Sequence, residues 1–256
     1  MLRGVKAGDY SGGARIGPES DDGGRDVGEQ VGIEIPGIGS VDAWMARPDG
    51  PPRGALVVIQ EIFGVNAHMR AVADGYAGDG YLALAPALFD PVERAVELGY
   101  GEEGFRRGRE LVQALGTDRA LAIVEAAAAR LRGELGDGGD DGPRVGAVDF
   151  CWGGTIALLA NTRLGLPAVS YYGARNVQFL DEPLRAPLMF HFGGRDASID
   201  AGAIELHRRK YPDAAIHVYP DAGHAFNRDV DPKAHEPASA RLAHERTLRL
   251  FADALH

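Results

Sequence analysis

A chain of 256 residues with a hydrophobic share of 45% has enough apolar material for one large core, so a single compact domain is expected. The formal net charge is −10 and the Lys and Arg residues are interspersed with Asp and Glu, which argues against nucleic acid as a partner. No run approaches the roughly 18 apolar residues needed to span a bilayer and the first residues hold no apolar signal core, so membrane insertion is excluded and a cytoplasmic protein is expected.

Residues 1 to about 26 are rich in Gly, Asp and Ser and poor in aliphatic side chains. They bury too little to offset ordering entropy and are read as a disordered extension, leaving 27–256 as the domain. Alternation at Val31, Ile33 and Ile35, then from Val41 to Met45 after Pro36-Gly37-Ile38-Gly39, predicts an antiparallel pair of strands. The pattern then changes to short continuous apolar runs, at 55–60, 81–85, 144–150, 167–172, 187–192 and 215–219. Such runs mark strands buried on both faces.

Helical segments fall between the runs. Leu121, Val124, Ala128 and Leu131 form one stripe, with Thr117 placed as N-cap and Gly133 just past the end, and Leu248, Phe251 and Leu255 form another. Strands alternating with helices predict a mostly parallel, doubly wound α/β sheet with antiparallel N-terminal strands, whose function gathers at the carboxyl ends of the strands. The acidic segment 133–143 is expected to be a solvated loop.

Cys151 is the one cysteine, so an intrachain disulfide and a four-cysteine zinc site are excluded, and the thiol is either an inert core residue or a reacting group. It lies in Asp149-Phe150-Cys151-Trp152-Gly153-Gly154, between an apolar run and the helical segment TIALLANT. That order fits a nucleophile elbow, a strained strand-to-helix turn opened by small neighbours. Gly153 suits the turn; Asp149 departs from it, and is expected to be accommodated by turning to solvent or bonding a local amide. A thiolate attacking an acyl group needs a base, and the base needs an orienter. His224, in Asp221-Ala222-Gly223-His224, and Asp196, after Gly193-Gly194-Arg195, both follow strands directly. His191 and His217 sit inside strands, and His235, His244 and His256 in a charged C-terminal region, where structural roles are expected. Nucleophile, acid, histidine is the chain order of α/β-hydrolases. Glu61 ends another strand and should face the same edge, with a plain surface carboxylate as the alternative. The backbone N–H groups of Ile62 and Trp152 are the pair this fold would use to hold an oxyanion.

Over roughly residues 29–255 the chain resembles the dienelactone hydrolase family, the carboxymethylenebutenolidases. The resemblance rests on Gln60-Glu61-Ile62-Phe63-Gly64-Val65-Asn66, Phe150-Cys151-Trp152-Gly153-Gly154, Phe192-Gly193-Gly194-Arg195-Asp196 and Gly223-His224-Ala225-Phe226. It implies lactone hydrolysis through an acyl-thioester, with no metal and no organic cofactor, and a Glu61 carboxylate that contacts the resting cysteine and helps activate it. It also implies that Arg228 binds a substrate carboxylate; a surface arginine paired with Asp229 or Asp231 is the alternative. The family's second arginine, expected just after Pro86-Ala87-Leu88-Phe89, is missing or displaced to Arg94. Phe226, with Tyr81, Phe89 and Trp152, either lines an apolar pocket or belongs to the core. A small ester or lactone is the expected partner, the chain being a monomer or small homo-oligomer. A broad carboxylesterase and a non-catalytic ligand-binding relative are the competing readings.

Overall fold

The computed structural model describes residues 28–136 and 144–255; the expected N-terminal extension and most of the acidic segment after Gly136 lie outside them. Eight strands form one sheet. They are β1 (Gly28–Ile35), β2 (Gly39–Ala46), β3 (Ala55–Ile59), β4 (Leu82–Pro86), β5 (Val145–Phe150), β6 (Ala168–Tyr171), β7 (Leu188–Gly193) and β8 (Ala215–Tyr219). Their spatial order is β1-β2-β4-β3-β5-β6-β7-β8. β1 pairs antiparallel with β2 and β2 antiparallel with β4, and every later pairing is parallel. Each apolar run read from the sequence is thus a strand, and β3 to β7 are buried along their whole length. Continuous Val, Leu, Ile and Ala at these positions follow from helices covering both sheet faces.

Among the described residues, α1 (Ala67–Gly78), α2 (Glu102–Leu115), α3 (Thr117–Leu135), α4 (Gly153–Leu164) and α5 (Ala201–Lys210) lie between strands, and α6 (Pro237–Ala254) follows β8. The stripe at Leu121, Val124, Ala128 and Leu131 is the buried face of α3. Its ends differ from expectation. Gly116, at φ 76°, is the N-cap and separates α3 from α2, so Thr117 is the first helical residue, and the helix runs through Gly133 to stop at Gly136. Positive φ is open to glycine at little cost, so the two flanking glycines, not Thr117, punctuate the helix. Phe251 and Leu255 are buried as predicted, and the ring of Phe251 lies where a side chain on Gly146 of β5 would sit. Among the described residues no helix is long and apolar enough to cross a membrane.

Candidate active site

The carboxyl ends of β3, β5, β6, β7 and β8 converge on one edge. Cys151 follows β5 directly, and its N–H donates to the carbonyl of Tyr171 at the end of β6 (3.1 Å). Its φ is 61°, a left-handed value that a non-glycine residue adopts only when its surroundings enforce it. Glycines make room for the turn here. A Cβ on Gly154 would fall 2.4 Å from the Cα of Gly173, so α4 can start against the end of β6 only with glycine at that position.

Asp149 fits the turn by a route half foreseen. Its carboxylate accepts from the N–H of Ala157 in α4 (2.8 Å), the local amide expected, but it is wholly buried and does not reach solvent. Its other oxygen has no protein partner among the described residues. Burial pushes its pKa well above the carboxylate range, against the pull of nearby backbone N–H groups.

Asp196 and His224 lie on the loops after β7 and β8. These loops are tied together by Gly194 N–H to Tyr219 C=O (2.7 Å) and Arg195 N–H to Ala222 C=O (2.9 Å). Gly193 permits the approach, since a Cβ there would meet the carbonyls of Gly223 and Ala222 at 2.5 and 2.6 Å. His224 Nδ1 is 2.8 Å from Asp196 Oδ2, and Asp196 Oδ1 accepts from Ser198 N–H (2.7 Å). Burial works against a charged His224, but the Asp196 hydrogen bond and the neighbouring Cys151 side chain outweigh it, and the pKa is pushed up to about 10. Three segments distant in the chain thus bring thiol, imidazole and carboxylate together in hydrolase order. The N–H groups of Ile62 and Trp152 have no protein acceptor among the described residues.

Glu61, at the end of β3, is buried and faces Arg228 rather than the thiol. Arg228 Nη2 and Nε donate to its two oxygens at 2.8 and 3.1 Å, and Arg228 Nη1 to Asp231 Oδ2 at 3.3 Å. The guanidinium is 3% exposed and lies 4.2 Å from the ring centre of Tyr100 and 5.2 Å from that of Phe63. Burial works against its charge, but Glu61, with Tyr172 and Tyr100, outweighs it and the pKa stays raised. The alternative of a solvated surface arginine is set aside, although the Asp231 contact is present.

Two expected substrate contacts are placed elsewhere. Phe226 is fully buried among Tyr171, Tyr172 and Tyr219, so it supports the histidine loop from within the core. Arg94 is held by the Ser40 carbonyl (3.1 Å) and Asp42 (3.2 Å) beside β2, with its charge committed there. Tyr81 and Phe89 are likewise buried core residues, and Phe89 stacks on Trp152. His191 is a satisfied core histidine, bonded to Tyr219 and Thr247. An open cleft of about 720 Å³ adjoins His224, with Tyr100, Asp231, Lys233 and His235 in its walls. Tyr100, Tyr172 and Asn227 escaped the sequence reading. Each acts through a partner far along the chain, and the one local signal was the Tyr171-Tyr172-Gly173 segment at a strand end.

A parallel sheet with an antiparallel start, carrying a strained residue between β5 and α4 and an acid–histidine pair after β7 and β8, makes this an α/β-hydrolase. The comparisons refine that class. The dienelactone hydrolase family model matches residues 41–255. A Salmonella typhimurium protein assigned as a carboxymethylenebutenolidase is 35% identical over 242 residues, covering 85% of each chain. The carboxymethylenebutenolidase of Pseudomonas putida is 31% identical over 217 residues, covering 82% of this chain and 90% of that one. The crystal structure of a protein assigned as a dienelactone hydrolase from Klebsiella pneumoniae superposes with a TM-score of 0.72 at 32% identity, covering 88% and 98% of the two chains. The chain belongs to the dienelactone hydrolase family, and is a hydrolase of ester or lactone bonds.

Proposed function

We propose that this hydrolase opens a lactone or ester through an acyl-thioester on Cys151. The observation that carries the reading is the strained Cys151 set beside a histidine whose far nitrogen is fixed by Asp196. With Nδ1 engaged by Asp196, Nε2 is the nitrogen left for proton transfer. The Cys151 sulfur attacks the carbonyl carbon while its proton resides on His224, and the Ile62 and Trp152 amides receive the oxyanion. Collapse breaks the C–O bond, and His224 protonates the departing alkoxide, which stays tethered to the acyl group when the substrate is a lactone. His224 then takes a proton from water, hydroxide adds to the thioester, and the thiolate leaves.

The resemblance gives Arg228 a substrate carboxylate and Glu61 a part in activating the thiol, and the Arg228–Glu61 pair supports a link between the two roles. A substrate carboxylate that took over the Arg228 hydrogen bonds now made to Glu61 would release the Glu61 carboxylate towards the nucleophile's edge. The retained triad favours an enzyme over a non-catalytic binding relative. Steady-state hydrolysis of p-nitrophenyl acetate and of dienelactone by Cys151→Ala tests the reading: turnover should fall to background on both, and a variant that keeps most of its rate would exclude the thiol as nucleophile.

A further inference from the structure

Among the described residues, four that are not glycine have positive φ: Ala95, Cys151, Tyr172 and Ala225. Three of them surround the catalytic edge. Cys151 is the elbow, Tyr172 directly follows β6 at φ 43°, and Ala225 follows His224 at φ 59°. A bulky residue in this region persists only where its surroundings over-determine it. The backbone around Tyr172 already serves the nucleophile. Tyr171 C=O accepts from Cys151 N–H, and Tyr172 N–H donates to the His191 carbonyl (2.8 Å). The Tyr172 ring lies 4.8 Å from the His224 ring, centre to centre. Its hydroxyl, fully buried, donates to the side-chain carbonyl of Asn227, between His224 and Arg228 on the loop after β8.

We infer that the Tyr172–Asn227 hydrogen bond is a positioning clamp, locking the strained end of β6 to the strained histidine loop so that His224 keeps the place its proton transfers require. The inference rests on the cysteine-hydrolase reading above. Neither residue reaches the reacting atoms in this role; both act through His224. Burial holds the Tyr172 phenol well above its ordinary pKa, with Glu61 adding to the effect and Arg228 opposing it, so the hydroxyl remains a donor at working pH. The loop has other anchors, Arg228 to Glu61 and Glu236 N–H to the Phe226 carbonyl (2.9 Å), so it stays folded without the clamp. What is lost is placement of the imidazole, which acts in the chemical steps more than in binding.

Tyr172→Phe, Asn227→Ala and the double variant would be compared on p-nitrophenyl acetate, with Cys151→Ala as control and thermal melts on all four. Each single variant should lower kcat about two- to tenfold, the range for one neutral hydrogen bond, with KM and Tm little changed. The double variant should fall no further than the worse single, because both delete one interaction. Losses that multiply in the double variant, or a kcat unchanged in the singles, would overturn the clamp while a dead Cys151→Ala left the cysteine reading standing. An active Cys151→Ala would overturn both.

Discussion

His224–Asp196 and Arg228–Glu61 are two charged pairs on the same edge of the sheet, each joining the loop after β8 to another strand end, and they differ in access. His224 is 24% exposed beside an open cleft, whereas the Arg228 and Glu61 side chains are 3% and 1% exposed. His224 meets whatever enters and can exchange protons with it, while Asp196, its side chain 0% exposed, holds the imidazole from beneath. The second is sealed under Tyr100 and Phe63, and has to rearrange before it touches a ligand. The comparison separates chemistry from recognition: loss of the open pair should stop turnover in a folded protein, whereas loss of half the sealed pair should first harm the fold.

The largest effect is expected at the open pair. His224→Ala should lower kcat by several decades with little change in Tm, and Asp196→Asn should fold and still impair turnover by stabilising the wrong tautomer. Near-normal kcat in the His224 variant would mean that another group moves the proton.

At the sealed pair, Arg228→Gln leaves the Glu61 carboxylate buried without its bidentate partner. Breaking a buried pair on one side destabilises by about 3–5 kcal/mol, so Tm should drop by roughly ten degrees. Adding Glu61→Gln should restore much of that drop, because the uncompensated charge is gone. With folding controlled for, kcat/KM on a carboxylated lactone and its methyl ester shows whether Arg228 recognises charge: a tenfold or larger loss confined to the acid is expected. Equal losses on both substrates would leave Arg228 a purely structural part.

The smallest effect concerns Asp149, a fully buried carboxyl with no cation beside it among the described residues. Its folded pKa is raised, so between the unfolded value near 4 and that higher folded value the native state binds more protons than the unfolded chain, and stability falls as pH rises through this window. Asp149→Asn keeps the shape without the titration. It should melt a few degrees above the parent at pH 8, with the gap closing towards pH 4, and kcat should change less than about tenfold. A parent that grows more stable with pH relative to the variant would mean that Asp149 is charged in the fold.

Much of this edge was legible in the chain because its signals are local. Apolar runs mark β3 to β7, and Cys151, Asp196 and His224 each follow a run within a few residues, so their shared edge follows from parallel pairing alone. Partners across the fold were not legible. Glu61 and Arg228 are 167 residues apart, and nothing near either says that they pair. Phe226, two residues after His224, looks from spacing like a pocket wall, yet Ala225 at positive φ turns the chain so that the ring points inward. Arg94 follows β4 closely enough to suggest the site, but Asp42 on β2 draws it the other way. Asp149 was the informative exception, a local departure from the elbow pattern that the α4 amide of Ala157 accommodates.

The central claim is that the bond broken in the substrate is first exchanged for a bond to Cys151. Rapid quench of the enzyme with p-nitrophenyl acetate, followed by intact-mass and peptide analysis, reads this directly. An added acetyl mass located on Cys151, absent from Cys151→Ala and persisting longer in a His224 variant that cannot activate water, is the predicted result. Full turnover with the acetyl group on another residue, or undiminished hydrolysis without the thiol, would contradict it.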